Sequence, residues 1–197
     1  MTSFSYLQKQ VLIGLLMGNG GLQTLNHGKT YRFRFVQSEV RKNYLFHIYK
    51  IFQEYVRTPP REMYDSRLSG KVYKGWYFNN LTSPEFNEYA NLFYEQRRKV
   101  IKAELIPLVE KTALAYWFMD NGSKKGKNYK GFRFSTDAYS YKEVLLLQSL
   151  LEEKFDWRTI DVRQGQGFRI SVKAESHTSL IKLVGDLIPD SMQALIS

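Results

Sequence analysis

The sequence predicts an α+β fold built twice, as two αββαββα halves related by a pseudo-twofold axis. Three observations predict it. An apolar segment, Leu12-Ile-Gly-Leu-Leu-Met-Gly-Asn-Gly20, recurs 102 positions later as Leu114-Ala-Tyr-Trp-Phe-Met-Asp-Asn-Gly122 in a chain of 197 residues. Strand-like alternation follows each copy. The same order of helical and strand patterns then follows in each half.

Each repeated segment reads as a helix. Ser5-x-x-Gln8 forms a capping box ahead of the first, and Leu12, Leu15 and Leu16 recur at helical spacing. Asn-Gly suits the C-terminal end of both. Neither segment is amphipathic, so neither has a solvated face, and two such helices in a duplicated chain most simply bury each other.

Behind the first segment, Thr30–Val36 alternates strictly and predicts a half-buried strand; behind the second, Tyr129–Ser135 does the same. Helical patterns follow at Tyr44–Val56 and Tyr141–Phe155, the latter opened by the capping box Ser140-x-x-Glu143. Strand-like runs at Lys71–Phe78 and Phe168–Val172 precede helices near Pro84–Glu95 and Thr178–Leu187. Ser83-Pro84-Glu85 supplies a cap, a proline at the first helical position and an acid in the first turn. The halves are expected at residues 1–98 and 112–197. The stretch 99–111 is expected to be a linker in which Pro107 interrupts any helix.

Composition narrows the function. With 43% apolar and 24% charged residues the chain is neither disordered nor fibrous. No apolar run approaches the ~20 residues of a membrane span, and the absence of a secretory leader argues against export. Cys is absent, which excludes disulfides, thiol catalysis and Cys-based zinc modules. The three histidines, His27, His47 and His177, fit no compact metal triad. Lys and Arg number 29 against 19 acids, a net charge of +10 that suits a polyanion. Aromatic residues at 15%, with 14 Tyr and 13 Phe, favour nucleic acid over simple solubility as the reason for that charge.

The two repeated segments resemble the motif of the LAGLIDADG homing endonucleases in its double-motif, single-chain, intron-encoded form. Counted from Leu12, the seventh residue is Gly18, the eighth Asn19 and the closing glycine Gly20. Counted from Leu114, these are Asp120, Asn121 and Gly122. The resemblance covers nearly the whole chain. It implies that the two motif helices pack together at the centre and that the sheets form a saddle over the DNA major groove. It also implies Mg²⁺-dependent cleavage of a long duplex target, with an acid at each eighth position holding the metal beside the scissile phosphates.

The sequence departs from that pattern where the chemistry is expected. Both eighth positions are Asn, so Asn19 and Asn121 stand at the catalytic and metal-holding positions, flanked by Gly18 and Asp120. An amide keeps the shape of a carboxylate and loses its charge, so Mg²⁺ binding is expected to be weakened and cleavage impaired. Ca²⁺ could substitute without cleavage. The same exchange at both positions is the pattern expected of a paired inactivation. Lys99 lies where the family places a basic residue near the active centre, and is the third catalytic candidate.

The strand alternation nominates the DNA-reading side chains. Arg32 and Arg34 alternate with Tyr31, Phe33 and Phe35; Arg133 alternates with Phe132 and Phe134; Arg169 alternates with Phe168 and Ile170. Arg reads guanine and Gln reads adenine in the major groove, which adds Gln37, Gln164 and Gln166, with Lys71, Lys74 and Arg163 beside them. Lys124, Lys125, Lys127 and Lys130 make a basic loop suited to phosphate contact. Two halves of about a hundred residues span roughly 70 Å, or about 20 base pairs, and a monomer with unlike halves suits a non-palindromic target. The other reading is an RNA-binding group I intron maturase, which needs the basic surface and no metal-binding acids. The expected setting is an organelle, with translation in situ, or a prokaryotic cytoplasm.

Overall fold

A computed structural model describes residues 3–66, 72–126 and 131–197. The first half runs α1 (Tyr6–Met17), β1 (Gly21–Gln23), β2 (Arg32–Ser38), α2 (Lys42–Phe52), β3 (Arg61–Asp65), β4 (Tyr73–Asn79) and α3 (Glu85–Phe93). A hairpin of β5 (Tyr94–Glu95) and β6 (Arg98–Lys99) leads through a 3-10 turn at Ala103–Leu108, which contains Pro107, into the second half. That half runs α4 (Lys111–Asn121), β7 (Gly122–Lys124), β8 (Phe132–Phe134), α5 (Tyr141–Phe155), β9 (Thr159–Gln164), β10 (Gly167–Val172) and α6 (His177–Val184). The two antiparallel sheets have matching orders, β1-β2-β4-β3 and β7-β8-β10-β9. The duplicated αββαββα fold is therefore present.

Local signals explain several boundaries. Ser5 Oγ accepts the Gln8 N–H, and Gln8 Oε1 accepts the Ser5 N–H at 2.8 Å. Ser140 and Glu143 repeat this reciprocal arrangement at the start of α5. Asp156 ends α5 in the left-handed region, at φ 54°. The predicted helix at Pro84–Glu95 stops earlier, at Phe93, because Tyr94 and Glu95 turn away to form β5. The predicted strand start at Lys71 lies outside the described residues, as do Tyr129 and Lys130 at the start of the other strand.

The core forms where α1 meets α4. Both helices are buried along almost their whole length. They approach so closely at Gly14 that a Cβ there would lie 2.3 Å from the Ala113 carbonyl oxygen. Beneath the first sheet, Phe33, Phe35 and Phe78 pack with Phe52 and Tyr44; beneath the second, Phe132 and Phe134 pack with Trp117 and Phe118. Each such side chain contributes about 1.5–3 kcal/mol by leaving water.

Side chains alternate across each sheet, so pairing register assigns every strand residue to the helix face or to the open face. The pairs Arg32 with Gln23, Arg34 with Asn79 and Arg61 with Tyr77 place these six residues on the open face of the first sheet. Ser171 pairs with Arg133, and Arg169 with Val162, on the open face of the second.

Candidate active centre and nucleic-acid interface

The C-terminal ends of α1 and α4 bring the two Asn-Gly dipeptides together. A cleft of about 390 Å³ opens there, lined by Gly18, Asn19, Arg98, Lys99, Asn121 and Tyr139 among others. A larger cavity of about 550 Å³, between the β1–β2 loop and the β5–β6 hairpin, contains neither asparagine.

Asp120 organises the centre from within. Its Oδ2 accepts the backbone N–H of Asn19, and its Oδ1 accepts Gln37 Nε2 at 2.8 Å. Asn19 Nδ2 donates to the Asp120 carbonyl at 3.3 Å, and Arg41 Nη1 donates to the same oxygen at 3.2 Å. Burial pushes the Asp120 carboxyl pKa up, against the hydrogen bonds from Asn19 and Gln37. Sequence alone lets Asp120 flank a metal; the structure spends both of its oxygens within the protein, at 4% exposure. Gly18 contributes no side chain for a physical reason. A Cβ there would fall 2.3 Å from Asp120 Oδ2 and 2.6 Å from Asn121 Oδ1.

Lys99 reaches the centre from β6. Its ammonium donates to the Gly18 carbonyl at 2.8 Å and the Gly20 carbonyl at 2.5 Å. Burial pushes its pKa down to about 8, while the Asp120 charge favours the protonated form. The β5–β6 turn that places it runs through Gln96 and Arg97, both at positive φ (46° and 69°), a conformation costly for residues other than glycine. Arg98 pairs with Glu143 at 3.2 Å, and Glu143 also accepts the Ile101 N–H at 2.9 Å, tying the hairpin to α5. Tyr139 donates from its hydroxyl to the Met17 carbonyl at 2.9 Å and closes one wall.

These donors are a poor set for a divalent cation. Among the described residues no carboxylate lines the cleft, and its side-chain oxygens are those of Asn19, Asn121 and the Tyr139 hydroxyl. Asn121 donates from Nδ2 to the Ser135 carbonyl, while its buried Oδ1 has no partner. The Gly18 and Gly20 carbonyls already hold an ammonium. Among the described residues no group of three or more His, Asp or Glu side chains is placed to hold a metal ion. Mg²⁺ and Ca²⁺ prefer charged oxygen ligands, so the residues present do not fit a tightly held divalent ion.

Register sorts the DNA-contact candidates between the open and helix faces of the two sheets. Arg34 lies 4.3 Å over the Tyr77 ring and donates to Asn79 Oδ1 at 3.3 Å; Arg32 donates to Gln23 Oε1 at 3.2 Å. Arg133 lies on the equivalent face of the second sheet, with its Nε buried and unpartnered. Arg169 is there too, with its Nε held by both oxygens of Asp137 at 2.8 and 2.9 Å. Gln164 is exposed at the end of β9, and Gln166 is exposed in the β9–β10 turn.

Four candidates need correction. Gln37 is 8% exposed on the helix face, with its amide committed to Asp120, so it is not free to read a base. Lys74 lies on the helix face beside Trp76 and pairs with Glu62 at 2.9 Å and Glu39 at 3.5 Å. Arg163 is exposed and opposes Phe168, which puts it on the helix face and not with Arg169. Lys124 is exposed on edge strand β7 and likewise shares the helix face with Phe132. Lys125 is partly buried beside Arg133, and burial followed by that charge lowers its pKa. Lys71, Lys127 and Lys130 lie outside the described residues. Gln23, Arg61, Tyr77 and Asn79 were not nominated from sequence. Alternation marks Tyr77 and Asn79 within the β4 pattern, whereas only strand pairing reveals Gln23 and Arg61.

Two paired helices carrying the central dipeptides, each feeding an antiparallel sheet with arginines on its open face, form a duplicated, double-motif α+β scaffold. The chain belongs to the LAGLIDADG DNA endonuclease family, whose model matches residues 9–180. It is 28% identical to the DNA endonuclease I-ChuI of Chlamydomonas applanata, over 99% of this chain and 96% of that one. It is 31% identical to the cytochrome b mRNA maturase bI2 of Saccharomyces cerevisiae, over 93% of this chain and 45% of the maturase. Among solved structures, the homing endonuclease I-WcaI bound to its DNA recognition sequence superposes with a TM-score of 0.93. The identity is 26%, and the match covers 100% of this chain and 88% of I-WcaI. I-DmoI in complex with DNA and Mn shares the fold at 14% identity and a TM-score of 0.55, over 90% of this chain and 96% of I-DmoI.

Proposed function

We propose that the chain is a sequence-specific double-stranded DNA-binding protein on a homing-endonuclease scaffold, whose own cleavage is weak or absent. The observation that carries this reading is the central pair of amides, Asn19 and Asn121, set between two sheets whose open faces carry Arg32, Arg34, Arg133 and Arg169. Arginine on an open sheet face is suited to bidentate contact with guanine, so these faces supply recognition. At the centre, Lys99 and Arg98 attract phosphate, while the neutral amides offer little to a cation that would activate water. The target is about 20 base pairs long and non-palindromic, bound by a monomer with residues 1–98 and 112–197 as its halves and 99–111 as the connection. Where relatives cut, a divalent ion supplies charge stabilisation at the scissile phosphates.

Among the described residues no helix is long and apolar enough to cross a membrane. An organellar setting fits the intron-encoded and cytochrome b maturase relatives.

A second reading, assistance of intron splicing by RNA binding, is favoured by the similarity to maturase bI2. Selection from a randomised 30-base-pair duplex pool, followed by footprinting, tests the first reading. Enrichment of one asymmetric site protected over about 20 base pairs supports it. Failure to enrich any site, with tight binding to structured group I intron RNA at equal salt, supports the maturase.

A further inference from the structure

Each half carries a notch near the outer end of its sheet, and the two differ in charge and in the sheet face they border. In the first half, the turn between α2 and β3 meets the end of β4 around a notch of about 250 Å³ lined by Arg32, Arg57, Arg61, Asn79 and Asn80. Among the described residues no carboxylate lines it. Arg32 and Arg61 belong to the open face, so the notch continues the surface proposed above to meet DNA. Asn80 is only 3% exposed, and neither its Oδ1 nor its Nδ2 has a hydrogen-bond partner; Arg32 Nε is also buried and unpartnered. Buried polar groups without partners are costly, and donors left in this state beside three cations await an anion with several oxygens.

In the second half the notch between the α5–β9 turn and the end of β10 lies on the helix side, where Thr159 shares a face with Val172. There Glu152 and Asp156 line the notch with Arg158 and Lys173, so two acids balance two bases. Glu152 Oε1 already accepts from the Thr159 N–H and hydroxyl, at 3.1 and 2.8 Å.

We propose that the Arg32–Arg57–Arg61–Asn80 notch holds a backbone phosphate of duplex DNA on the outer flank of the first half, and that the mixed-charge notch of the second half, on the helix side, holds none. The inference rests on the DNA-binding reading and gives it a direction: protection extends further on the first half's flank than on the other. Arg57 is exposed and lies outside both sheets, so its replacement tests the site without disturbing the core.

The experiment uses the full chain, Arg57→Gln and the control Arg158→Gln, from the mixed-charge notch of the second half, on a duplex selected by the wild-type protein. Arg57→Gln is expected to lower the slope of log affinity against log salt by about 0.9, an affinity loss of about eightfold at 0.1 M salt relative to 1 M. Hydroxyl-radical protection should shorten at one flank only. Arg158→Gln should leave slope and footprint unchanged. An unchanged slope and footprint in Arg57→Gln overturn the proposal while leaving DNA binding intact. Equal effects of the two variants overturn the asymmetry, and a loss confined to intron RNA overturns the assignment to duplex DNA. Failure of the wild-type chain to bind any duplex removes the functional reading and this proposal together.

Discussion

Asp120, near the end of α4, caps the end of α1: its carboxylate accepts the backbone N–H of Asn19. The position that corresponds to Asp120 in the first motif is Gly18, and the absent side chain there makes the room that the carboxylate occupies. The duplicated motif is therefore asymmetric where its two copies touch. An acid that sequence alone could assign to metal chemistry instead joins the two halves.

That arrangement predicts how Asp120 titrates. Its folded pKa is raised, so the folded protein takes up a proton more readily than the unfolded chain, and ionisation lowers stability. The destabilisation should be absent below the unfolded carboxylate value near 4, grow as pH rises through the folded pKa and be constant above it. Urea unfolding of wild type and Asp120→Asn between pH 3.5 and 7 should show the variant gaining on wild type across that window. Asp120→Ala, which strands the Asn19 N–H and the Gln37 amide, should lose about 1–3 kcal/mol.

Lys99 has the opposite proton linkage. Its folded pKa of about 8 lies below the ordinary lysine value of 10.5, so between these values the unfolded chain binds more protons and this group's contribution to stability rises with pH. The stability difference between wild type and Lys99→Met, measured from pH 7 to 10, should shift in favour of wild type across that interval. A flat difference would show that the ammonium is not buried as described.

Gln37 and Arg34 lie on opposite faces of β2, and their replacements are expected to separate stability from recognition. Gln37→Ala should cost about 1–3 kcal/mol of stability and leave base preference unchanged. Arg34→Ala should leave stability nearly unchanged and relax preference at one base pair by about 1–3 kcal/mol. Thermal unfolding together with binding to a set of single-substitution duplexes distinguishes them.

The helix pair allows little change at its crossing. Gly14→Val must displace the Ala113 carbonyl, which a Cβ would approach to 2.3 Å. A loss of about 1–3 kcal/mol or more is expected, seen as a lower urea midpoint with an unchanged slope.

Much of this fold was legible because its signals are local or periodic. Ser5 with Gln8 and Ser140 with Glu143 are reciprocal caps written within four residues, and both form. Phe33 and Phe35 alternate with Arg32 and Arg34, and the two sets take opposite faces. The β5–β6 hairpin was not legible. Its turn uses Gln96 and Arg97 at positive φ where Asn-Gly would have signalled it, and tertiary contacts such as Arg98 with Glu143 hold it in place. The mistaken nominations share another cause. Gln37, Lys74 and Arg163 have the right chemistry for DNA, but their face depends on pairing register and on partners distant in sequence: Asp120 for Gln37, and Glu39 for Lys74. The pairing of Asn19 with Asn121 was legible only because the motif is repeated.

If Asn19 and Asn121 alone withhold cleavage from a DNA-binding scaffold, an acid at both positions confers it. The most direct measurement is cleavage of a plasmid carrying the selected site, with Mg²⁺, by the wild-type chain and by Asn19→Asp/Asn121→Asp. Equal footprints for the two proteins and cutting by the double variant only are expected. Robust Mg²⁺-dependent cutting by the wild-type chain, or none by a double variant that still binds the site, would contradict this.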